Sequence, residues 1–192
     1  FLEDGLGPLF NGDSCRACHF DPIPGGSGPV GVNAMRFGEF DPDGQFIEPD
    51  GGTNLAKLAV SGHVRPEVEV GMFFESHQTP TVLGAGLLDL IPPEAIVENA
   101  DPEDLNEDGI RGVAHILSNG QVGRFGWKAQ IPSLEEFSRD AVSVELGLTV
   151  PPVESLMFGT LSDDDAIGDP EISLARLAAL PSTDASEVGP SR

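Results

Sequence analysis

The only two cysteines of the chain stand three positions apart, with a histidine directly after them: Cys15-Arg16-Ala17-Cys18-His19. A C-x-x-C-H run is the attachment signature of a c-type haem. The spacing follows from the chemistry. Two thiols on one helical turn can add to the two vinyl groups along one porphyrin edge, and the next residue then lies under the macrocycle, where its imidazole can ligate iron. Three other readings use the same residues less completely. A redox dithiol of thioredoxin type belongs to a βαβ pattern, and none is visible around Cys15. A zinc site needs two further ligands, offered only by scattered histidines. A structural disulfide leaves His19 without a role.

A six-coordinate iron needs a second axial ligand, for which His and Met are the common choices in electron-transfer haems. The chain offers His63, His77, His115, Met35, Met72 and Met157. Met72 adjoins Phe73 and Phe74 and reads equally as a core residue, while His63 and His115 read as surface or hydrogen-bonded histidines. An open distal side would favour peroxide or small-ligand chemistry, with Glu75 as an acid–base group or simply a solvated carboxylate.

A second constellation is acidic. Asp104, Asn106 and Asp108 alternate and are followed by Gly109, which is the opening of a calcium loop of EF-hand type. Position twelve of that loop is His115 rather than Glu, so a complete EF-hand is excluded. The alternative is an acidic turn whose side chains cap their own backbone.

The elements that must position these residues are short. Residues 1–20 read as a helix-like segment running into the cysteines, and 21–52 as irregular loop with turns at Asp43-Gly44 and Asp50-Gly51. Most regular structure is expected in 53–150. A helix starts at Thr53 and ends near Gly62, and another opens with proline in "IPPEAIVENA". A hairpin turns at Asn119-Gly120. A longer helix runs from the capping box of Ser133 and Glu136 to Gly147. Beyond 150 the sequence suggests one short helix, Ile172 to Leu180, and a mobile or partner-wrapping tail over the last dozen residues.

Composition narrows the function classes. The 24 Gly and 17 Pro in 192 residues describe a loop-rich fold, in which a large cofactor could help to organise the core. Asp and Glu outnumber Lys and Arg by 32 to 10, a net charge of −22 that disfavours nucleic acid and anionic membranes. It favours solubility, cation binding and basic partners. No stretch approaches the roughly 18 apolar residues of a membrane span, and no secretory leader is visible at the start, which a processed terminus would explain.

Three blocks, "LGPLFNGDSCRACHFDPIPGGSG", "TPTVLGAGLLDLIPPEAIVENADPEDLNEDGI" and "GRFGWKAQIPSL", resemble in order and spacing the di-haem oxidoreductase family, often labelled thiol oxidoreductases and related to bacterial di-haem cytochrome c peroxidases. The resemblance covers roughly residues 5–150. It implies a periplasmic or otherwise exported haem protein with cytochrome c-like helices, and it bears on individual residues. His77 precedes the Pro-rich block where relatives more often have Arg, and Met35 follows the motif at about the spacing of the distal His in the peroxidases. These two are therefore the favoured sixth ligands. The third block would lie near the haem, with Arg124 or Lys128 available to propionates and Trp127 packed on the porphyrin. Arg36 is a further propionate candidate; an ordinary ion pair, and for Trp127 a core aromatic, are the plain alternatives. The Ca²⁺ of related peroxidases adds weight to Asp104, Asn106 and Asp108.

The chain departs from the family in having no second C-x-x-C-H, so it can hold one covalent haem only. The resulting expectation is a mainly α fold, with cytochrome c-like helices around a covalent haem, long Gly/Pro-rich loops and a small β-hairpin. Residues 1–150 would form the haem domain and 151–192 an extended segment with one short helix. Function would be electron transfer by a mono-haem c-type cytochrome in a periplasmic or extracellular compartment, as a subunit of a larger redox assembly. The alternatives are a peroxidase or thiol oxidoreductase half that needs a second haem on a partner chain, and a structural subunit ordered by its haem.

Overall fold

The computed structural model describes residues 5–47, 49, 52–65, 67 and 71–180. They form two compact units, one built from the described residues of 5–83, 141–152 and 159–172, the other from 84–140, 153–158 and 173–180.

In the first unit, strand β1 (Leu9–Phe10) leads into the one-turn helix α1 (Cys15–Cys18). Strand β2 (Ala34–Phe40) is the centre of an antiparallel sheet, between β3 (Phe46–Ile47) and β5 (Phe73–His77). A second sheet pairs β1 with β4 (Leu58–Ala59), Leu9 opposite Ala59. Asp41 makes the β2–β3 turn by accepting the amides of Asp43 and Gln45 on Oδ1, at 2.9 and 2.7 Å, with Gly44 at φ +79°.

The β2–β5 register puts Ala34 opposite His77, Met35 opposite Ser76, Arg36 opposite Glu75 and Phe37 opposite Phe74. Side chains alternate along a strand. One face therefore carries Met35 and the stacked pair Phe37–Phe74, whose ring centroids are 6.5 Å apart. The other carries Arg36, Glu75, His77 and an edge-to-face cluster in which Phe40 meets Phe46 and Phe73. The buried apolar residues of this unit are Phe37, Val142, Leu146, Leu148, Val150 and Ile172. Gly7 and Gly147 cross backbone to backbone; a Cβ on Gly7 would lie 1.7 Å from the Gly147 oxygen, so no other residue fits.

The second unit contains α2 (Ala85–Asp89), α3 (Pro93–Glu98), the first half of α4 (Leu134–Leu146) and α5 (Leu174–Ala179). Pro begins α3 at the position where its missing N–H costs nothing. The Ser133 Oγ accepts the Glu136 amide at 3.2 Å, which is half of the expected capping box. The buried Glu136 carboxylate accepts the Met157 amide at 2.8 Å instead of turning back to Ser133. Asn119-Gly120 does reverse the chain. Gly120 donates to the Leu117 carbonyl and Leu117 to Gln121, with Gly120 at φ +85°, a type I turn with a glycine bulge. Val122, Phe125, Ile131 and Leu177 are the buried apolar residues here, with Phe125 stacked on Phe137.

Several expectations are corrected. The fold is not mainly α with cytochrome c-like helices. Among the described residues there are five helices, four of them of six residues or fewer, beside two antiparallel sheets of two and three strands. Frequent Gly and Pro break the chain before a helix reaches the roughly 12–15 residues at which it gains stability of its own. The helix expected from Thr53 to Gly62 is extended chain. Its backbone is taken by neighbours: Phe37 N donates to Thr53 O, Leu55 N to Met35 O, and β4 pairs with β1. Residues 34–40, expected as loop, form the longest strand, and the segment before Cys15 includes β1 rather than helix. The short helix expected at Ile172–Leu180 is α5, and the Asp43-Gly44 turn is present. The Asp50-Gly51 turn and the tail from residue 181 lie outside the described residues.

Candidate functional site

The Cys15–His19 turn is held from both sides within the first unit. Before it, the buried Asn11 receives the Lys57 amide on its Oδ1 at 2.9 Å and donates through Nδ2 to Glu145 at 2.9 Å. Its own amide reaches the Glu145 carbonyl at 2.8 Å. The other Glu145 oxygen accepts Asn54 Nδ2 at 2.8 Å. The turn itself is a single α turn closed by His19 N donating to Cys15 O at 2.9 Å, which sets the two thiols on one helical turn. Neither is in a disulfide.

After the turn, the chain loops back and is laced to the segment that leaves β5. Gly25 N donates to His19 O, and Val82 N and Thr81 Oγ1 both donate to Gly25 O. Gly28 N donates to Thr79 O at 3.0 Å, Gln78 Nε2 to Gly28 O, and the buried Thr79 hydroxyl to Val32 O. Gly28 is needed for this approach, because a Cβ there would lie 2.5 Å from both the Cys18 oxygen and a Val32 methyl.

The lacing delivers the Pro80 carbonyl to His19 Nδ1 at 2.8 Å. A carbonyl only accepts, so Nδ1 carries a proton, and in the neutral ring Nε2 is the nitrogen with the lone pair. This is the tautomer of a metal-ligating histidine, whose second nitrogen is oriented by a backbone or carboxylate acceptor. Phe20, Ile23 and Val30 on the loop, and Leu83 against Gly25, leave apolar side chains exposed in the same unit. Paired thiols, a tautomer-locked imidazole and apolar surface fit a haem. Burial holds both thiols above their ordinary value of 9.0, for Cys15 through dense protein around its sulfur although the residue as a whole is exposed, and for Cys18 with the Glu145 charge as the next cause.

The other expected site residues are distributed as follows. Met35 and His77 lie in the first unit but project from opposite faces of the β2–β5 sheet, so a macrocycle on one face meets one of them and not both. His77 Nε2 is 3.2 Å from Glu75 Oε2. Arg36 donates to Thr53 Oγ1 at 2.6 Å. His63 N closes a turn onto Val60 O, and Met72 precedes β5. Arg124, Trp127, Lys128, His115, Met157 and the acidic turn belong to the second unit. Arg124 Nη1 donates to the carbonyls of Leu88, Asp89 and Ile91 at 3.3, 2.8 and 2.8 Å, satisfying the end of α2. Trp127 is 38% exposed and lies under the Lys128 ammonium, 5.4 Å from ring centroid to Nζ. His115 Nδ1 faces the Lys128 carbonyl at 2.9 Å, and Met157 Sδ accepts from Asn119.

In the acidic turn the side chains bind their own backbone. Asp104 accepts the Gly109 amide, Asn106 Oδ1 that of Asp108, and Asp108 that of Ile110, while Asn106 Nδ2 donates to Asp108 at 3.0 Å. Asp101, not singled out in the sequence, accepts the Leu105 and Asn106 amides. Sequence reasoning also missed Pro80, Thr79 and Gln78. The signal available for them was their place directly after a candidate ligand, His77, with a proline whose nitrogen cannot donate.

Among the described residues no helix is long and apolar enough to cross a membrane. No protein-family model matches the chain, and no curated protein or solved structure is significantly similar to it.

Proposed function

We propose that this chain carries one covalent haem c on Cys15 and Cys18, with His19 Nε2 as the proximal ligand to iron, and that it transfers electrons as a subunit of a larger redox assembly. The observation that carries this reading is the hydrogen bond from His19 Nδ1 to Pro80 O at 2.8 Å, which in the neutral ring selects the tautomer with Nε2 open to a ligand. A redox dithiol gains nothing from such a histidine. The haem would supply a one-electron couple; the chain's own residues would attach it through Cys15 and Cys18, orient the His19 ring and offer the exposed Phe20, Ile23 and Leu83 as apolar surface. The acidic surface favours a basic electron-transfer partner. An exported compartment, periplasmic or extracellular, is part of this proposal, since haem attachment of this kind accompanies export in the family the motif blocks resemble.

The second reading is a peroxidase or thiol oxidoreductase half working with a second haem on a partner chain. It draws on Glu75, which stands beside His77 on one sheet face and offers a carboxylate for proton transfer. Optical and EPR spectra of the protein matured with haem separate the two. A low-spin, six-coordinate iron inert to peroxide supports the carrier. A high-spin iron that consumes peroxide supports the half-enzyme. Absence of haem after denaturation and extraction overturns both.

A further inference from the structure

A second candidate site in the first unit uses none of the residues of the Cys15–His19 turn. We infer that Asp163, Asp169 and Glu171 form a Ca²⁺ site that ties the 160–172 loop to the segment 148–150. One ligating oxygen from each carboxylate lies within 4.8 Å of the other two, and oxygens so spaced fit around a single ion at Ca–O distances of about 2.4 Å. The cluster alone would be an ordinary acidic loop. The second observation is the state of its innermost oxygens.

Glu171 is 8% exposed. Its Oε2 accepts both the amide and the hydroxyl of the fully buried Thr149, at 2.8 and 3.2 Å, and its own amide donates back to Thr149 Oγ1 at 3.0 Å. That leaves Oε1 sealed from solvent and without a hydrogen-bond partner. Asp163 repeats the arrangement: Oδ1 accepts the Asp165 amide at 3.1 Å, while Oδ2 is sealed and unpartnered. The buried Glu171 and the half-buried Asp163 are thus each held through one oxygen and keep the other, sealed oxygen for a ligand. Leaving those two oxygens empty is costly, because a sealed acceptor without a partner loses its hydration and gains nothing. In keeping with this, burial holds both carboxyls above their ordinary range; the charges of Asp165, Asp169 and Asp164 push Asp163 further up, and those of Asp163 and Asp165 push Glu171.

The chemistry of the donors selects the ion. All three are carboxylates, with no His or Cys among them, which suits a hard cation. Five of the nine residues from 163 to 171 are acidic, and residues 140–175 contain no Lys or Arg to neutralise them. Ca²⁺ accepts the mixed shell of carboxylate and water that an exposed Asp169 provides, whereas Mg²⁺ demands a stricter octahedron at shorter distances. The ion would hold Thr149 and Glu171 together, and with them Leu148, Val150 and Ile172 of the core.

The test is calorimetric titration of the intact chain with CaCl₂ and with MgCl₂, paired with melting curves in Ca²⁺ and in chelator. Ca²⁺ is expected to bind with one-to-one stoichiometry and to raise the melting temperature. Asp169→Asn, at an exposed position where folding is not at risk, is expected to weaken binding by at least about tenfold; Glu171→Gln should do the same while retaining an acceptor for Thr149. The double substitution Asp104→Asn with Asp108→Asn should leave the titration unchanged. Failure of millimolar Ca²⁺ to bind, a Mg²⁺ affinity equal to or above that for Ca²⁺, an unaffected Asp169→Asn, or loss of binding in the Asp104/Asp108 variant would each overturn the inference.

Discussion

His19 Nδ1 and Pro80 O are 61 positions apart in sequence and 2.8 Å apart in space. That one bond places a proton on Nδ1 and orients the ring, so that in the neutral imidazole Nε2 is the nitrogen open to a ligand. Everything around it serves to hold Pro80 in place: Gln78 and Thr79 are anchored to the Gly28–Val32 loop, and Thr81 and Val82 to Gly25.

Cys15→Ser with Cys18→Ser is expected to abolish covalent haem, read as loss of haem colour from the protein after denaturation and extraction. His19→Ala should keep the covalent attachment and change the spin state instead, because attachment and ligation reside on different side chains. Equal loss in both variants would contradict the proposed division of roles.

Thr79→Val removes a buried hydroxyl bond to Val32 O while keeping the side-chain shape. A cost of about 1–2 kcal/mol is expected in urea unfolding. A change in the spectrum of the matured protein should accompany it, since Pro80 follows directly. Gly28→Ala is expected to be more damaging, about 1–3 kcal/mol, because its Cβ would collide with the Cys18 carbonyl.

The raised thiol values make a pH prediction for the chain before haem is attached. A thiol whose folded value lies above the ordinary 9.0 forms its reactive thiolate only at higher pH, so alkylation of Cys18 by iodoacetamide should be slow near pH 8 and accelerate above pH 9. By linkage the folded state binds more protons than the unfolded one in that window, so stability falls as pH rises through it. Glu145→Gln removes the nearby charge and should move the onset of reaction to lower pH.

Ser133→Ala deletes the hydroxyl that accepts the Glu136 amide at the start of α4. The expected loss is about 1 kcal/mol in thermal or urea unfolding, with the optical spectrum of the matured protein unchanged.

Local signals carried the parts of this protein whose determinants lie within a few residues. Cys15, Cys18 and His19 are set on one turn by their spacing. Ser133 and Gly147 bound α4, proline opens α3, and Asn119-Gly120 turns the chain through adjacent backbone geometry. What the sequence concealed depends on contacts between distant segments. Thr53–Gly62 has the marks of a helix, but β1 and β2 compete for its backbone and win. The strand at 34–40 exists because β5 pairs with it, and that pairing alone separates Met35 from His77. The capping-box glutamate serves Met157 rather than its own helix. The acidic oxygens that converge belong to Asp163, Asp169 and Glu171, whereas those of the motif-like turn at 104–108 face their own amides. Residue type and spacing determine which chemistry is available; only the folded chain decides which lone pairs are already taken, because a hydrogen bond across 61 residues leaves no trace in local pattern.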